Sequence, residues 1–525
     1  MDFKTRRIRY KKSSNIFRNI GRFFTNFYGK IFSRFSTNAN KKKKITTGLF
    51  VAIITVVILF FYGCEVIVSK IGVINIIGIF GEQLKTDSYG NTNVLLLGVG
   101  GEGHDGAYLT DTIIVASIDQ SNKLVPMLSI PRDFYVDVEG GTRINNLYEL
   151  GKNKYGIEGG LKLVEEAIED MTGVDIQYHV LINFAGFKDM VDSLGGVEIY
   201  VDEAINDPYY PLDETIQYQT FSLPAGLQQM DGDTALKYAR SRKTTSDFDR
   251  SKRQQKLLFA IKDKAMSKGV LLNPGKIKDL YSSVDANIET NFSIRNIIEL
   301  AKISQDFNKD NIITKVMTDD PTSCGGFLYV PERDFFGGAY VLVPIGNNYD
   351  FIHQYVDLTF HYPEISKSPL KFQILNGTKT SGIAVETKAM LDRLCFDVVR
   401  FGNAQSQDIK KTTLFYKAPA TTGEESSSDK TTEALTFLKQ LIPGEISTQI
   451  PPKYYESQYI SEANVIIELG EDYIENRPED IFYQYYPSAT PATTETTEAT
   501  EGDSGAAEPE ETNIVPAETT ATDGI

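Results

Sequence analysis

The twenty residues from Lys237 to Lys256 (KYARSRKTTSDFDRSKRQQK) hold eight Lys or Arg and only two acids, Asp247 and Asp249. In a chain that is strongly acidic outside its first 44 residues, such a cluster points to anion binding. Its second half reads as a helix start: Asp247 or Asp249 can cap it, and Leu257, Leu258, Ile261 and Ala265 follow at helical spacing. That spacing puts Arg250, Gln254, Leu257 and Ile261 on one face, with Arg253 beside them. Guanidinium groups in a first helical turn, where backbone N–H groups also point outward, suit phosphate oxygens. Arginine outnumbers lysine on this face, which favours bidentate phosphate recognition over a merely solvated helix start. Farther along the face turns apolar, so a ligand with a charged head and a greasy tail fits the gradient.

Three shorter segments carry polar groups at the ends of apolar, β-branched runs: TDT (Thr110–Thr112), SIPRD (Ser129–Asp133) and RINN (Arg143–Asn146). Each alone reads as a turn or a strand cap. In an α/β domain, however, strand ends line the crevice where ligands bind. With the basic helix they supply Arg132, Arg143, Arg240, Arg242, Arg250 and Arg253 alongside Asp111 and Asp247. Such a set suits a metal-bound pyrophosphate, with guanidinium groups on the oxygens and a carboxylate for Mg²⁺ (or Mn²⁺).

The elements that must position these groups follow from pattern. A chain of 525 residues is long enough for about two to four folded units. Its net charge of −16 is split: residues 1–44 carry 14 Lys/Arg against Asp2, which leaves 40 − 69 = −29 for the rest. This basic arm leads into Ile45–Val68, 24 residues with the single charge Glu65. That length predicts one transmembrane helix, with 1–44 cytoplasmic and the bulk of the chain outside the cell membrane. Residues 69–92 read as a stalk. Strands are expected from Asn93 (NVLLLGV) and at Thr112–Ile118, Leu124–Ile130, Tyr178–Ile182 and Val197–Val201. Helices are expected at Gly159–Met171, Asn183–Ser193, within Leu223–Arg240, and at Lys276–Ser283 and Ser293–Phe307. The alternation implies a three-layer α/β domain over residues 93–356. After a linker at Ser366–Leu370, a second small α/β domain fills 370–472. From Pro487 to Ile525 there are nine acids and no Lys or Arg among many Thr, Ala and Pro, so residues 487–525 read as a disordered acidic tail.

Four His and three Cys, without zinc-ligand spacing, argue against a zinc hydrolase or a His-based triad. Cys64 falls in the anchor. A bond between Cys324 and Cys395 is open to the chain, but two buried thiols are the default expectation. The arm shows no helix-turn-helix pattern and nucleic acid is not an expected partner.

Six ordered motifs then carry a resemblance: TDTIIVASID, LVPMLSIPRDFYV, RINNLYELG, HVLINFAGFKDMVDSLGGVEIYVD, LPAGLQQMDGDTALKYARSRK and DFDRSKRQQ. In this order, behind one anchor, they resemble the LytR–CpsA–Psr family from about Asn93 to Ala265. ILNGTKTSGIAVETKAMLDRLCFDVV is similar to the LytR carboxy-terminal domain. The resemblance implies an α/β/α sandwich with an apolar pocket for a polyprenyl chain. It also implies transfer of a glycopolymer from a polyprenyl-pyrophosphate carrier to a peptidoglycan sugar hydroxyl. Matched by motif, Arg132, Arg240, Arg242, Arg250 and Arg253 hold the pyrophosphate, with Gln254, Arg143 and Asp247 nearby. Asp111 is the metal-linked or catalytic aspartate, and Arg132 and Arg250 act with it in catalysis. This chain departs from the family pattern at Leu109, where an Arg is usual, and at Val99 and Gly100, where an Asp often follows the strand. Asp105, in the loop GEGHDGAY, is the substitute metal ligand the sequence offers. A second class of function stays open on those departures: a module that captures polyprenyl-pyrophosphate lipid without turnover.

Overall fold

The computed structural model describes residues 82–211, 217–241, 247–270, 273–363, 365, 370–416, 434–455 and 463–476. The basic arm, the expected anchor at 45–68, most of the stalk and the acidic tail lie outside them. Among the described residues no helix is long and apolar enough to cross a membrane.

Four of the expected strands form the centre of a six-stranded mixed sheet: β1 (Thr92–Val99), β2 (Thr112–Ile118), β3 (Val125–Ser129) and β4 (Tyr178–Asn183). β1 pairs antiparallel with β2 and parallel with β4, and β2 pairs antiparallel with β3. The period of two decides which layer each residue meets. Leu95, Leu97 and Val99 join a core with helix α1 (Leu147–Thr172), while Ile114, Ala116 and Met127 face the opposite way.

Next along the chain come α2 (Phe184–Ser193), capped by Asn183, and β5 (Val197–Val201). The hairpin β6 (Ile205–Pro211) and β7 (Tyr218–Leu223) follows, then β8 (Gly226–Met230), which pairs with β5. The hairpin carries no clean alternation, and pattern alone does not find it. Asp231 caps α3 (Gly232–Arg240), which leads towards α4 (Asp247–Ser267). On α4, Leu258 packs beneath Ile114 and Ala116, so helices cover both faces of the sheet. Helix α5 (Pro274–Val284) and α6 (Ile294–Ile303) alternate with two further strands, β9 (Ile288–Thr290) and β10 (Ile312–Val316). These two complete the sheet, β9 beside β4 and β10 parallel to β3. Helix α7 (Asp350–Phe360) closes the unit.

Helix α1 starts twelve residues before the expected Gly159 and is broken at Gly156, where φ is 82°. The break folds the chain so that a Cβ on Gly151 would lie 2.8 Å from the Gly160 Cα. Only glycine permits that approach of two backbones.

The second unit is a five-stranded sheet in the order β12–β11–β15–β13–β14. These are β11 (Lys371–Asn376), β12 (Asp397–Asn403), β13 (Thr413–Tyr416), β14 (Glu445–Ser447) and β15 (Val465–Leu469), with helix α8 (Ile383–Arg393) connecting β11 to β12. Its buried residues Phe372, Ile374, Ile383 and Leu391 belong to the same apolar cluster as Phe327, Leu328, Tyr355 and Phe360 of the first unit. The two units therefore share a core.

The expectation of two thiols is corrected: Cys324 and Cys395 form a disulfide with a Cα–Cα distance of 4.7 Å. A separation of 71 residues conceals that the loop after β10 and the end of α8 meet in space. Around the bond, the Gly325 amide donates to the Arg393 carbonyl at 2.8 Å, and Arg393 Nε donates to the Pro321 carbonyl at 3.0 Å.

Candidate active site

Backbone hydrogen bonds bring the three short motifs together at one end of β1, β2 and β3. The Thr110 amide donates to the Asn145 carbonyl at 3.0 Å, and the Asn145 amide to the Arg132 carbonyl at 3.3 Å. The Ile144 amide donates to Phe134 at 2.7 Å, which closes SIPRD against RINN.

On this frame Arg132 Nη1 donates to Asp111 Oδ1 at 2.8 Å, and its Nε lies 3.5 Å from Asp133 Oδ2. Arg143 Nη1 donates to the other Asp133 oxygen at 3.1 Å. Asp133 is buried and orients two guanidinium groups, a role that sequence reasoning misses. Its place directly after Arg132 in SIPRD is the signal available. The Asp111–Arg132 pair is solvent-accessible, with side-chain exposures of 39% and 21%. Arg250 is buried in the first turn of α4, and its Nη2 donates to the Asp111 carbonyl at 3.2 Å. Thus Asp111, Arg132, Arg143 and Arg250, widely spaced in sequence, form one constellation.

Arg240, in the last turn of α3, places its guanidinium 4.3 Å from the Phe184 ring centroid and 5.4 Å from that of Tyr210. The two rings face the cation with their electron-rich surfaces and hold it on this side of the site. His104 meets the same Phe184 edge-on at 5.0 Å, so the loop after β1 reaches this side of the site.

The face of α4 is turned relative to the sequence expectation. Arg250, Arg253, Leu257, Ala260 and Ala265 are buried along it, with Ser251 and Gln255 flanking them. Arg253, expected among the pyrophosphate ligands, is buried here and ties α4 to the end of α3. Its Nε donates to the Tyr238 carbonyl at 3.0 Å and a terminal nitrogen donates to the Ser241 carbonyl. Those carbonyls end α3, where a cation also meets the negative end of the helix dipole. Burial lowers the Arg253 pKa below its ordinary value. Gln254 is half-buried, and its neighbour Gln255 does the joining. Gln255 Nε2 donates to Ser129 Oγ at 2.9 Å and to the Lys315 carbonyl at 3.0 Å. Arg242 and the Asp247 side chain lie outside the described residues.

The loop from Gly100 to Leu109 is closed by Gly101 N–H to the Ala107 carbonyl (2.8 Å) and Leu109 N–H to Gly106 (2.9 Å). Asp105 is exposed on it. A Cβ on Gly100 would meet the His104 Cβ at 3.0 Å, and one on Gly106 would meet the Leu109 Cδ1 at 2.7 Å. His104 thus packs closely against Gly100, and Leu109 against Gly106. Among the described residues no three His, Cys, Asp or Glu group as metal ligands. A divalent cation here would rest on Asp111, with substrate oxygens and water completing its shell, an arrangement Mg²⁺ accepts.

The profile of the LytR_cpsA_psr family matches residues 74–334, and that of the LytR cell envelope-related transcriptional attenuator matches residues 370–473. The chain belongs to the LytR–CpsA–Psr family. It is 24% identical over 385 residues to the cell wall biosynthesis protein LcpA of Corynebacterium glutamicum, covering 66% of this chain and 69% of that protein. Over 235 residues it is 31% identical to the polyisoprenyl-teichoic acid–peptidoglycan teichoic acid transferase TagV of Bacillus subtilis, covering 43% of this chain and 55% of that one. A crystal structure of B. subtilis TagV aligns at 25% identity and TM-score 0.40, over 52% of this chain and 97% of that chain. Asp111, Arg132, Arg143, Arg240 and Arg250 all lie inside the LytR–CpsA–Psr match. Cys324 also lies inside it, Cys395 in the second match, and their disulfide joins the two regions.

Proposed function

We propose that this chain is a membrane-anchored phosphotransferase that moves a glycopolymer from a polyprenyl-pyrophosphate carrier to a peptidoglycan hydroxyl. The observation that carries it is the solvent-accessible Asp111–Arg132 pair, with Arg250 holding the Asp111 backbone from α4. The names of the relatives, a teichoic acid transferase and a cell wall biosynthesis protein, support the same class of reaction.

In this reading Arg132, Arg240 and Arg143 bind the pyrophosphate oxygens, and Arg250 holds the Asp111 backbone in register with them. The acceptor hydroxyl attacks the phosphorus that carries the glycopolymer. A new P–O bond forms, the bridging P–O bond breaks, and polyprenyl phosphate leaves. Asp111 takes the hydroxyl proton. Fixed cations matter most where charge grows on the leaving oxygens, because they need no reorganisation at that moment. A divalent cation, Mg²⁺ or Mn²⁺, when bound beside Asp111, supplies further positive charge to those oxygens. The membrane placement rests on the apolar 24 residues at 45–68 and the basic arm before them. The Cys324–Cys395 bond supports it, since disulfides persist outside the reducing cytoplasm.

The test is to incubate the protein with a polyprenyl-pyrophosphate glycolipid, a peptidoglycan oligosaccharide and Mg²⁺, then weigh the products. A linked glycopolymer–peptidoglycan product is expected. Lipid retained intact would instead establish the capture module, the reading that the departures from the family motifs at Gly100 and Leu109 favour. Two variants probe the metal in the same assay. Asp111→Ala is expected to abolish Mg²⁺-dependent turnover. Asp105→Ala is expected only to raise the Mg²⁺ concentration required, and an unchanged Mg²⁺ titration would remove Asp105 from the site. A reporter fused after Ile525 should be active only in its exported form, and cytoplasmic activity would overturn the topology.

A further inference from the structure

The disulfide between the two units has chemically different sides. Lys315, on β10, places Nζ 3.6 Å from Cys324 Sγ, and the Tyr355 hydroxyl lies 3.8 Å from the same sulfur. Lys315 has no carboxylate partner among the described residues, and burial pushes its pKa down to about 8. A desolvated ammonium without a counter-ion is stabilised by any negative charge that develops beside it. Among the described residues the Cys395 sulfur has no comparable donor, and both cysteines are partly exposed. Cys395 also sits directly after the Leu394 cap of α8 with φ 69°, a left-handed position that L side chains adopt at a cost.

We propose that Cys324–Cys395 is a thiol-exchange site of fixed polarity, in which an incoming thiolate attacks Cys395 and Cys324 departs as the thiolate facing Lys315. In the first step a sulfur–sulfur bond forms between the reagent and Cys395 Sγ. The Cys324–Cys395 bond breaks and its electron pair leaves on Cys324 Sγ. A second thiolate then attacks the reagent sulfur of the mixed disulfide, which releases reduced Cys395 and an oxidised reagent disulfide. Two thiols are oxidised for one protein disulfide reduced. The rate of such exchange follows how readily the leaving sulfur carries charge, which is what Lys315 controls. The ligand class is thus a thiolate nucleophile, and the site lies where the loop after β10 meets α8.

The experiment uses the full chain in detergent, with Cys64 first blocked by N-ethylmaleimide. Reduced glutathione is added, the reaction is stopped early with iodoacetamide, and the cysteine peptides are mapped by mass. Glutathione on Cys395 and carbamidomethyl on Cys324 are expected. Glutathione on Cys324, or an even split, overturns the proposal. Lys315→Met should slow the first exchange step about tenfold, because an adjacent cation stabilises the thiolate that leaves. Lys315→Arg, which keeps the charge, should stay close to the wild-type rate. An unchanged rate in Lys315→Met also overturns the proposal, and if that variant does not fold, the wild-type map decides alone.

Discussion

Arg132→Ala should lower kcat/KM for glycopolymer transfer by about 10²–10³, the range for removing one fixed donor from a developing oxyanion. Arg132 faces both Asp111 and Asp133, at 2.8 Å and 3.5 Å. Its loss takes a cation from the phosphate oxygens and leaves two carboxylates closer to bare, so like charge meets the incoming substrate. Arg132→Lys keeps the charge but cannot span both carboxylates with one planar fork, so it should recover only part of the loss. The fold should survive, because the side chain is at the rim and Asp133 retains Arg143. Kinetics with the glycolipid and a peptidoglycan fragment, beside thermal melts of both variants, check this. Wild-type kcat/KM in Arg132→Ala would remove the Asp111–Arg132 pair from the reaction.

Arg253→Ala should behave in the opposite way, costing stability first. Two carbonyls at the end of α3 would lose their donor in a buried place, and hydrogen bonds to a charged group are worth roughly 1.5–3 kcal/mol each. Release of a buried guanidinium to the solvent of the unfolded state offsets part of that loss. A net loss of about 2–4 kcal/mol follows, or a fall in Tm of roughly 5–15 °C for a domain of this size. A phosphate ligand would show the reverse: an unshifted Tm and weakened lipid binding. Arg250→Lys falls between the two, because Arg250 is buried yet reaches Asp111. Partial rescue of lipid binding relative to Arg250→Ala is expected, read by titration of the polyprenyl-pyrophosphate lipid.

The contrast between Arg250 and Arg253 shows where pattern stops being informative. Helical spacing places both near one face of α4, and it does so correctly. It cannot say that three residues of rotation carry one guanidinium to Asp111 and the other onto the carbonyls of α3. Gln254 and Gln255 differ by a rotation of about 100°, and only packing of Leu257 and Ala260 against the hairpin side decides which of them enters the interior. Asp133 was hidden for a related reason. Its function is to bridge Arg132 and Arg143, and that bridge exists only after RINN has folded back onto SIPRD.

Sequence by itself determined the strands β1 to β5, because runs of β-branched residues bounded by Gly and polar turns have few other solutions. It determined the helices α2, α3 and α4 through their caps and apolar spacing, and it placed Asp111, Arg132 and Arg250 at the ends of elements. It also determined the family, through six motifs in order. The tertiary structure decided the rest. It alone brought β9 and β10 to the sheet edges, closed the loop over Gly100, and merged the cores of the two units. It alone joined Cys324 to Cys395 beside Lys315. The physical reason is common to all of these. Local propensity and periodicity act over a few residues, whereas burial of a charge, closure of a disulfide and contact between backbones depend on chain segments that are distant in sequence and adjacent only after folding.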